Sequence, residues 1–273
     1  MRLINRRPNA RVSRLIAAIP FAATILAYLI GSGVRLAVNP SDKLLPSPLS
    51  LFEAIKRMAF QIDQRTGDIL MLVDTTASLG RIFAALAIAT VIALVLGVSV
   101  GLLPYLRALF GSYITVLSMV PPLALLPILF ITMGLGESSK IALIVIGVAP
   151  FMVRDLALRV EELPPQQLIK AQTLGASTWQ IILRVVLPQV LPRLIDALRL
   201  SLGPAWLFLI AAEAIASESG LGYRIFLVRR FLAMDVIIPY VAWITLLAFL
   251  MDRALVVLQR RSFPWFAVAR AQG

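Results

Sequence analysis

Six apolar runs without charge alternate with polar stretches along the chain: Leu15 to Val34, Ile82 to Leu106, Ala108 to Gly136, Ile141 to Val153, Leu200 to Ala212 and Val236 to Met251. The first run is 20 residues long. As a helix rising 1.5 Å per residue, it covers the roughly 30 Å hydrocarbon core of a bilayer. The third run is interrupted by Pro121, Pro122 and Pro127. The fourth and fifth runs have 13 residues each, which reach only about 20 Å. They are expected to extend through flanking charges, to about 141–159 and 194–213. Charges inside a span are tolerated where the helix faces protein or water, so these two are expected to be interior and the first helix the most exposed to lipid. The pattern predicts an all-α polytopic membrane protein with six transmembrane helices. No inverted internal repeat is evident.

The polar stretches carry their own elements. Leu51 to Phe60 has helical apolar spacing and reads as a surface helix. Gly220-Leu-Gly222 reads as a turn, with a short amphipathic helix over Tyr223 to Met234. Glu161 to Pro192 is the most organised polar segment. Leu163-Pro164-Pro165 stops the preceding helix. Gln166 to Leu174 follows with Leu168, Ala171 and Leu174 on one face. Gly175 sits where a helix stop needs positive φ. Ser177, with Gln180 three residues on, has the pattern of a capping box. The second helix carries Ile181, Ile182, Val185 and Val186 and is expected to end near Pro188. The expectation is two short helices at 163–187, joined at a fixed angle by Gly175-Ala176.

Composition narrows the chemistry. The chain is 60% hydrophobic and contains no Cys and no His, which excludes disulfides and Cys or His metal and catalytic sites. The net charge of +12 suggests nucleic acid until the charges are placed. With the N-terminus inside, the inner segments 1–14, 104–112, 154–199 and 252–273 hold 16 Lys/Arg and 5 Asp/Glu, and the outer segments hold 10 and 9. This satisfies the positive-inside rule, leaves no need for a nucleic-acid partner, and puts both termini and Glu161–Pro192 in the cytoplasm. A signal peptide is the competing reading of the basic N-terminus, but the first run is too long for one.

The helix, Gly turn, capped helix and Leu-Pro order resembles the signature loop of ABC importer permeases. In that family a Glu-Ala-Ala triplet begins six residues before a Gly. Here Gly175 matches the Gly, Ala171 the second Ala, and Val185-Val186-Leu187-Pro188 the apolar-Leu-Pro end. Ile169 and Lys170 stand where Glu and the first Ala are usual. Four further phrases match in order: Thr76-Ala-Ser78-Leu79-x-Arg81, Val120-Pro121-Pro122-Leu123-Ala124-x-x-Pro127, Gly134-Leu-Gly136-Glu137, and Ala212-Glu213 with Ser219-Gly220-Leu221-Gly222-Tyr223. Together they resemble the branch that imports nitrate, taurine and aliphatic sulfonates. The phrases LLPSPLS, LIKAQTLGASTWQIILRVVLPQ and GYRIFLVRRFLAMDVI are also similar to a sub-branch associated with urea carboxylase.

The resemblance implies the type I importer permease fold. The expected plan is a cytoplasmic tail 1–14, a peripheral helix 15–34, a periplasmic segment 35–74, a core 75–260 and a cytoplasmic tail 261–273. It implies a homodimer in the bacterial inner membrane, two ATPase subunits and a periplasmic substrate-binding protein. Ile169, Lys170, Ala171, Gly175, Ser177, Trp179, Leu187 and Pro188 would form the ATPase-coupling region. No G-x-x-x-x-G-K-[ST] occurs, so the chain is expected to be no enzyme and to hold no cofactor, with ATP and Mg on the partner. The substrate is expected to be guanidine or a urea-like compound, or alternatively nitrate, taurine or a sulfonate. An ion-driven secondary transporter is the reading from another class.

Met119, Pro121, Pro122 and Leu123 are candidates for a pathway or gate, where the two prolines either break a helix lining a cavity or simply kink it. Glu213 either faces a cationic substrate or pairs with Arg224, Arg229 or Arg230 to hold the outer gate. Those three arginines are also candidates for contact with a binding protein.

Overall fold

A computed structural model describes residues 8–64 and 66–266. Parts of the predicted tails, 1–7 and 267–273, lie outside the described residues. The described residues form an all-α chain of eleven helices: α1 (Ala10–Val38), α2 (Pro48–Phe60), α3 (Leu70–Leu102), α4 (Pro104–Leu117), α5 (Leu126–Met133), α6 (Glu137–Glu161), α7 (Pro165–Thr173), α8 (Thr178–Ile181), α9 (Leu187–Ala216), α10 (Leu221–Arg229) and α11 (Met234–Ser262). A 3-10 turn covers Pro122–Leu125 and a π segment covers Ile182–Val186.

Two compact units are present. The first comprises 1–70 and 228–241. Here the Asn9 side chain caps α1 by accepting from the Val12 N–H at 2.9 Å. The chain after α1 folds back on it. Tyr28 donates its hydroxyl to the Pro46 carbonyl at 2.6 Å, and Ser32 donates to the same oxygen at 3.0 Å. Arg35 pairs with Asp42. That hydrogen bond, with the Leu44 N–H, holds the Asp42 carboxyl below the usual carboxylate range. Pro48 opens α2, with Ser47 as its cap.

The second unit comprises 71–227 and 242–273. Its centre is the pairing of α6 with α9, where Leu143, Ile144, Met152, Leu156, Val190, Ala197 and Leu209 are buried. Helix α3 closes on α6 through small residues. A Cβ on Gly97 would come within 2.9 Å of the Leu156 Cβ, and one on Gly101 within 2.6 Å of the Val160 Cβ. Two glycines one turn apart let helix backbones approach closely, which in a membrane supplies packing where the hydrophobic effect does not. Replacing Gly101 by Leu is expected to force the helices apart and to destabilise the bundle by about 1–3 kcal/mol, read as a lower midpoint of unfolding in detergent.

Five helices are long and apolar enough to cross a membrane, and a sixth span arises if the α4–α5 pair is counted as one. That pair corrects the third predicted span. The run Ala108 to Gly136 is not one helix but two, bent by 83°. Pro121 and Pro122 explain the break: neither offers an N–H to a helix, and each pushes its predecessor out of the α region. Pro121 is extended, with ψ of 112°.

The fourth and fifth spans reach further than expected, to Glu137–Glu161 and Thr178–Ala216. About two-fifths of their apolar windows is buried (44% each), against 6% for α1. The expectation that α1 is the most exposed holds only jointly, because α11 has the same 6%.

Candidate functional site

Two polar arrangements stand in the second unit, one at each end of α6. At its C-terminal end lies the polar stretch singled out in the sequence. Leu163 and the Pro164-Pro165 pair end α6 and start α7. Helix α7 closes in a Schellman motif, with Ala176 N–H donating to the Ala171 carbonyl at 3.0 Å and Gly175 N–H to the Gln172 carbonyl at 2.9 Å. Gly175 has φ of +79°, a conformation glycine adopts without steric penalty. The capping box forms as expected: Gln180 N–H donates to Ser177 Oγ at 3.3 Å, and Ser177 N–H donates to Gln180 Oε1 at 2.9 Å.

The second helix of this region departs from expectation. It does not end near Pro188. Helix α8 passes through the π segment directly into α9, so Thr178–Ala216 is one continuous run. The reason is local. Pro188 has no N–H, and the widened turn absorbs that loss, with Leu187 N–H bonding back to the Ile182 carbonyl. The Gln189 side chain donates to the Val185 carbonyl at 2.7 Å.

Around this turn the large apolar side chains are bare. Ile169 is 57% exposed, Leu174 79% and Trp179 65%. Lys170 and Ser177 are exposed, and Ala171 and Leu187 half-buried. Exposed apolar residues clustered on a polar segment are a feature of interaction surfaces. Met119 and Leu123, by contrast, stand exposed at the α4–α5 break, with Pro121 and Pro122 between them.

At the other end of α6 is a buried ionic clamp. Glu213 on α9 is fully buried. Arg81 on α3 donates Nη1 to Glu213 Oε1 at 2.6 Å and to the Ser219 carbonyl at 2.8 Å. Its Nε and Nη2 grip both oxygens of Glu137, the first residue of α6. Lys140, also buried, donates to Glu137 Oε1 at 2.9 Å. Ser78 donates to Glu213 Oε1 at 2.7 Å and accepts from the Leu221 N–H at 2.9 Å. The Gly222 N–H donates to Glu213 Oε2 at 2.8 Å. Beside it, Arg224 Nε donates to Asp74 Oδ2 at 2.8 Å, and Asp74 Oδ1 accepts from the Gly220 N–H at 3.0 Å. Three cations and three carboxylates balance: Asp74, Arg81, Lys140 and Glu213 are buried and need their partners, whereas Glu137 closes the cluster from an exposed position.

The glycines are required by this geometry. A Cβ on Gly220, at φ of +131°, would lie 2.5 Å from the Glu213 carboxyl carbon.

This corrects the pairing expected for Glu213. Its partner is Arg81, not Arg224, Arg229 or Arg230, because the N-terminal part of α3 passes beside the end of α9. Arg224 is engaged by Asp74. Arg229 and Arg230 are exposed at the end of α10, with Arg230 stacked on Phe231 at 4.8 Å. Both Glu213 oxygens are engaged within the clamp. Sequence reasoning missed Arg81, Ser78, Glu137, Lys140 and Asp74 as members of one cluster. The signal was present: three of the matched phrases, those holding Ser78 and Arg81, Glu137, and Glu213 with Ser219 to Gly222, meet here.

Residues 89–264 match the family described as "Binding-protein-dependent transport system inner membrane component". The chain is 38% identical to the taurine transport system permease protein TauC of Escherichia coli (strain K12), over 82% of this chain and 81% of that protein. It is 32% identical to the bicarbonate transport system permease protein CmpB of Synechococcus elongatus, over 79% and 80%. Among solved structures, it resembles a chain of a bacterial ABC transporter involved in the import of the acidic polysaccharide alginate. There the TM-score is 0.63 at 14% identity, covering 92% of this chain and 96% of that one.

Proposed function

The chain belongs to the binding-protein-dependent transport system inner-membrane components, and from that premise we propose that it passes a small oxyanion-bearing solute into the cytoplasm, driven by a separate ATPase docked on α7 and α8. A permease subunit of an ABC importer is a transport protein and not an enzyme. It sits in the inner membrane with several spans.

The observation that carries the docking is the bare apolar surface of Ile169, Leu174 and Trp179 around Gly175. A surface that only transmitted through a flexible loop would lose the stroke. Here the Schellman motif and the capping box fix both sides of the turn, and α8 is continuous with the pathway helix α9. Push on α8 becomes movement of α9, a rigid-body mechanism. The excess of positive charge on the α7 side favours a cytoplasmic location. Two copies would enclose the pathway, with α4–α5 and its residues Met119 and Leu123 at the constriction. A periplasmic binding protein would deliver the solute, with the exposed Arg229 and Arg230 as candidates to meet it.

For the solute, the relatives named above are transporters of taurine and of bicarbonate, and both molecules carry an anionic oxygen group. The guanidine or urea-like reading has no such support, and Glu213, its best candidate acceptor, is consumed in the ionic clamp. Taurine, a second sulfonate, bicarbonate, nitrate, guanidine and urea should be compared as labelled solutes in proteoliposomes containing the permease, ATPase and binding protein. The expected result is ATP-dependent uptake of one of the oxyanions and none of guanidine. Uptake driven by an ion gradient with the ATPase omitted would overturn the importer reading.

A further inference from the structure

A cavity of about 320 Å³ opens beside the base of α7, lined by Arg159, Glu162, Gln189, Arg193, Trp265 and Phe266 among others. Its charges are not all spent. Arg159 is held by Glu162 at 3.1 Å and by Asp155 at 3.7 Å. Arg193 has no acidic partner among the described residues, and its guanidinium lies over the Phe266 ring at 4.9 Å. The lining therefore carries one uncompensated positive charge, half-buried, within a polar and aromatic wall.

Its depth can be read from the helices. Arg193 and Glu213 are 20 residues apart on α9, about 30 Å at 1.5 Å per residue. That is a full hydrocarbon thickness. The span expected from the sequence, about 194–213, ends at Glu213, and Arg193 directly precedes its other end, which is the headgroup level. Trp265 and Phe266 follow the end of α11 at Ser262, in the position where aromatic rings favour the interface. Trp265 is 55% exposed although it lines the cavity. A basic pocket between helix ends at headgroup depth has the chemistry to hold a lipid phosphate.

We propose that this cavity binds the headgroup phosphate of a singly charged anionic phospholipid, with Arg193 as the residue that takes the charge. The site lies against the α6–α7 junction, so an occupied site braces the base of the coupling surface.

Native mass spectrometry of the purified full chain, loaded with phosphatidylglycerol and phosphatidylcholine at equal amounts, tests this. The expected result is a roughly fivefold preference for phosphatidylglycerol, the size of one basic contact at a charged headgroup. Arg193→Gln is expected to abolish the preference, Arg193→Lys to keep most of it, and Arg260→Gln, in the last turn of α11, to leave it unchanged. If Arg193→Gln cannot be recovered folded, brominated lipids decide the matter. Brominated phosphatidylglycerol should quench the native tryptophan emission more than brominated phosphatidylcholine, and the difference should vanish in Trp265→Phe. An equal loss of preference in Arg260→Gln would mean diffuse attraction and overturn the site. Displacement of phosphatidylglycerol by millimolar glycerol phosphate would make the ligand a free anion and overturn the lipid.

Discussion

Replacing Arg81 with methionine is expected to cost about 3–5 kcal/mol of stability, the usual penalty for stranding a buried charge. Arg81 is 6% exposed and touches three partners at once: Glu137, Glu213 and the Ser219 carbonyl. Methionine fills much of the volume but leaves Glu213 buried with only Ser78 and the Gly222 N–H. The loss should appear as a lower unfolding midpoint in detergent and as poor accumulation in the membrane. The double variant Arg81→Met, Glu213→Leu removes both charges of that pair. It should recover part of the loss, and the size of the recovery measures the coupling. No recovery would show that the Glu137 arm, not the Glu213 arm, dominates.

Gly175→Val should have the opposite signature, an intact fold with failed function. Nothing lies within 4 Å of the position a Cβ would take, so packing is not the issue. The backbone is, because φ of +79° costs a residue with a side chain about 1–2 kcal/mol, and a β-branched one more. Helix α7 is nine residues long, too short to hold its shape without its cap. Relief of the strain would re-aim α7 against α8 and scatter Ile169, Leu174 and Trp179. Transport and transport-coupled ATP hydrolysis should fall at least about tenfold, which needs only 1.4 kcal/mol of lost docking. Unfolding in detergent should shift little. Wild-type transport in this variant would sink the docking proposal.

The parts of the fold set by local chemistry were legible in the sequence. Apolar run length located five continuous spans, and Gly175, Ser177 and Gln180 announced their turn and cap because those motifs involve neighbours in the chain. The α4–α5 break was foreshadowed by Pro121 and Pro122, but its angle depends on what each half packs against, and the sequence pattern carries no such term. The π segment was invisible, since it is a response to Pro188 by residues with ordinary helix propensities. The ionic clamp was half-legible. Glu213 stood out as a charge beside an apolar run, and its nearest cations in sequence were Arg224, Arg229 and Arg230. Its actual partner lies 132 positions away, and only tertiary packing selects among distant arginines.

The π segment also fixes an angle. In an α-helix each residue turns the chain by about 100°, and a single wide turn lets one additional residue pass with little change in length. Everything before Ile182 is therefore rotated about the axis of α9 relative to an unbroken helix, by an amount on the order of one residue's turn. The azimuth at which Trp179 faces outward is thus set inside the helix, by a counting offset rather than by any contact. Insertions or deletions in 182–186 would change the phase between the docking face and the pathway face while leaving both faces chemically unaltered.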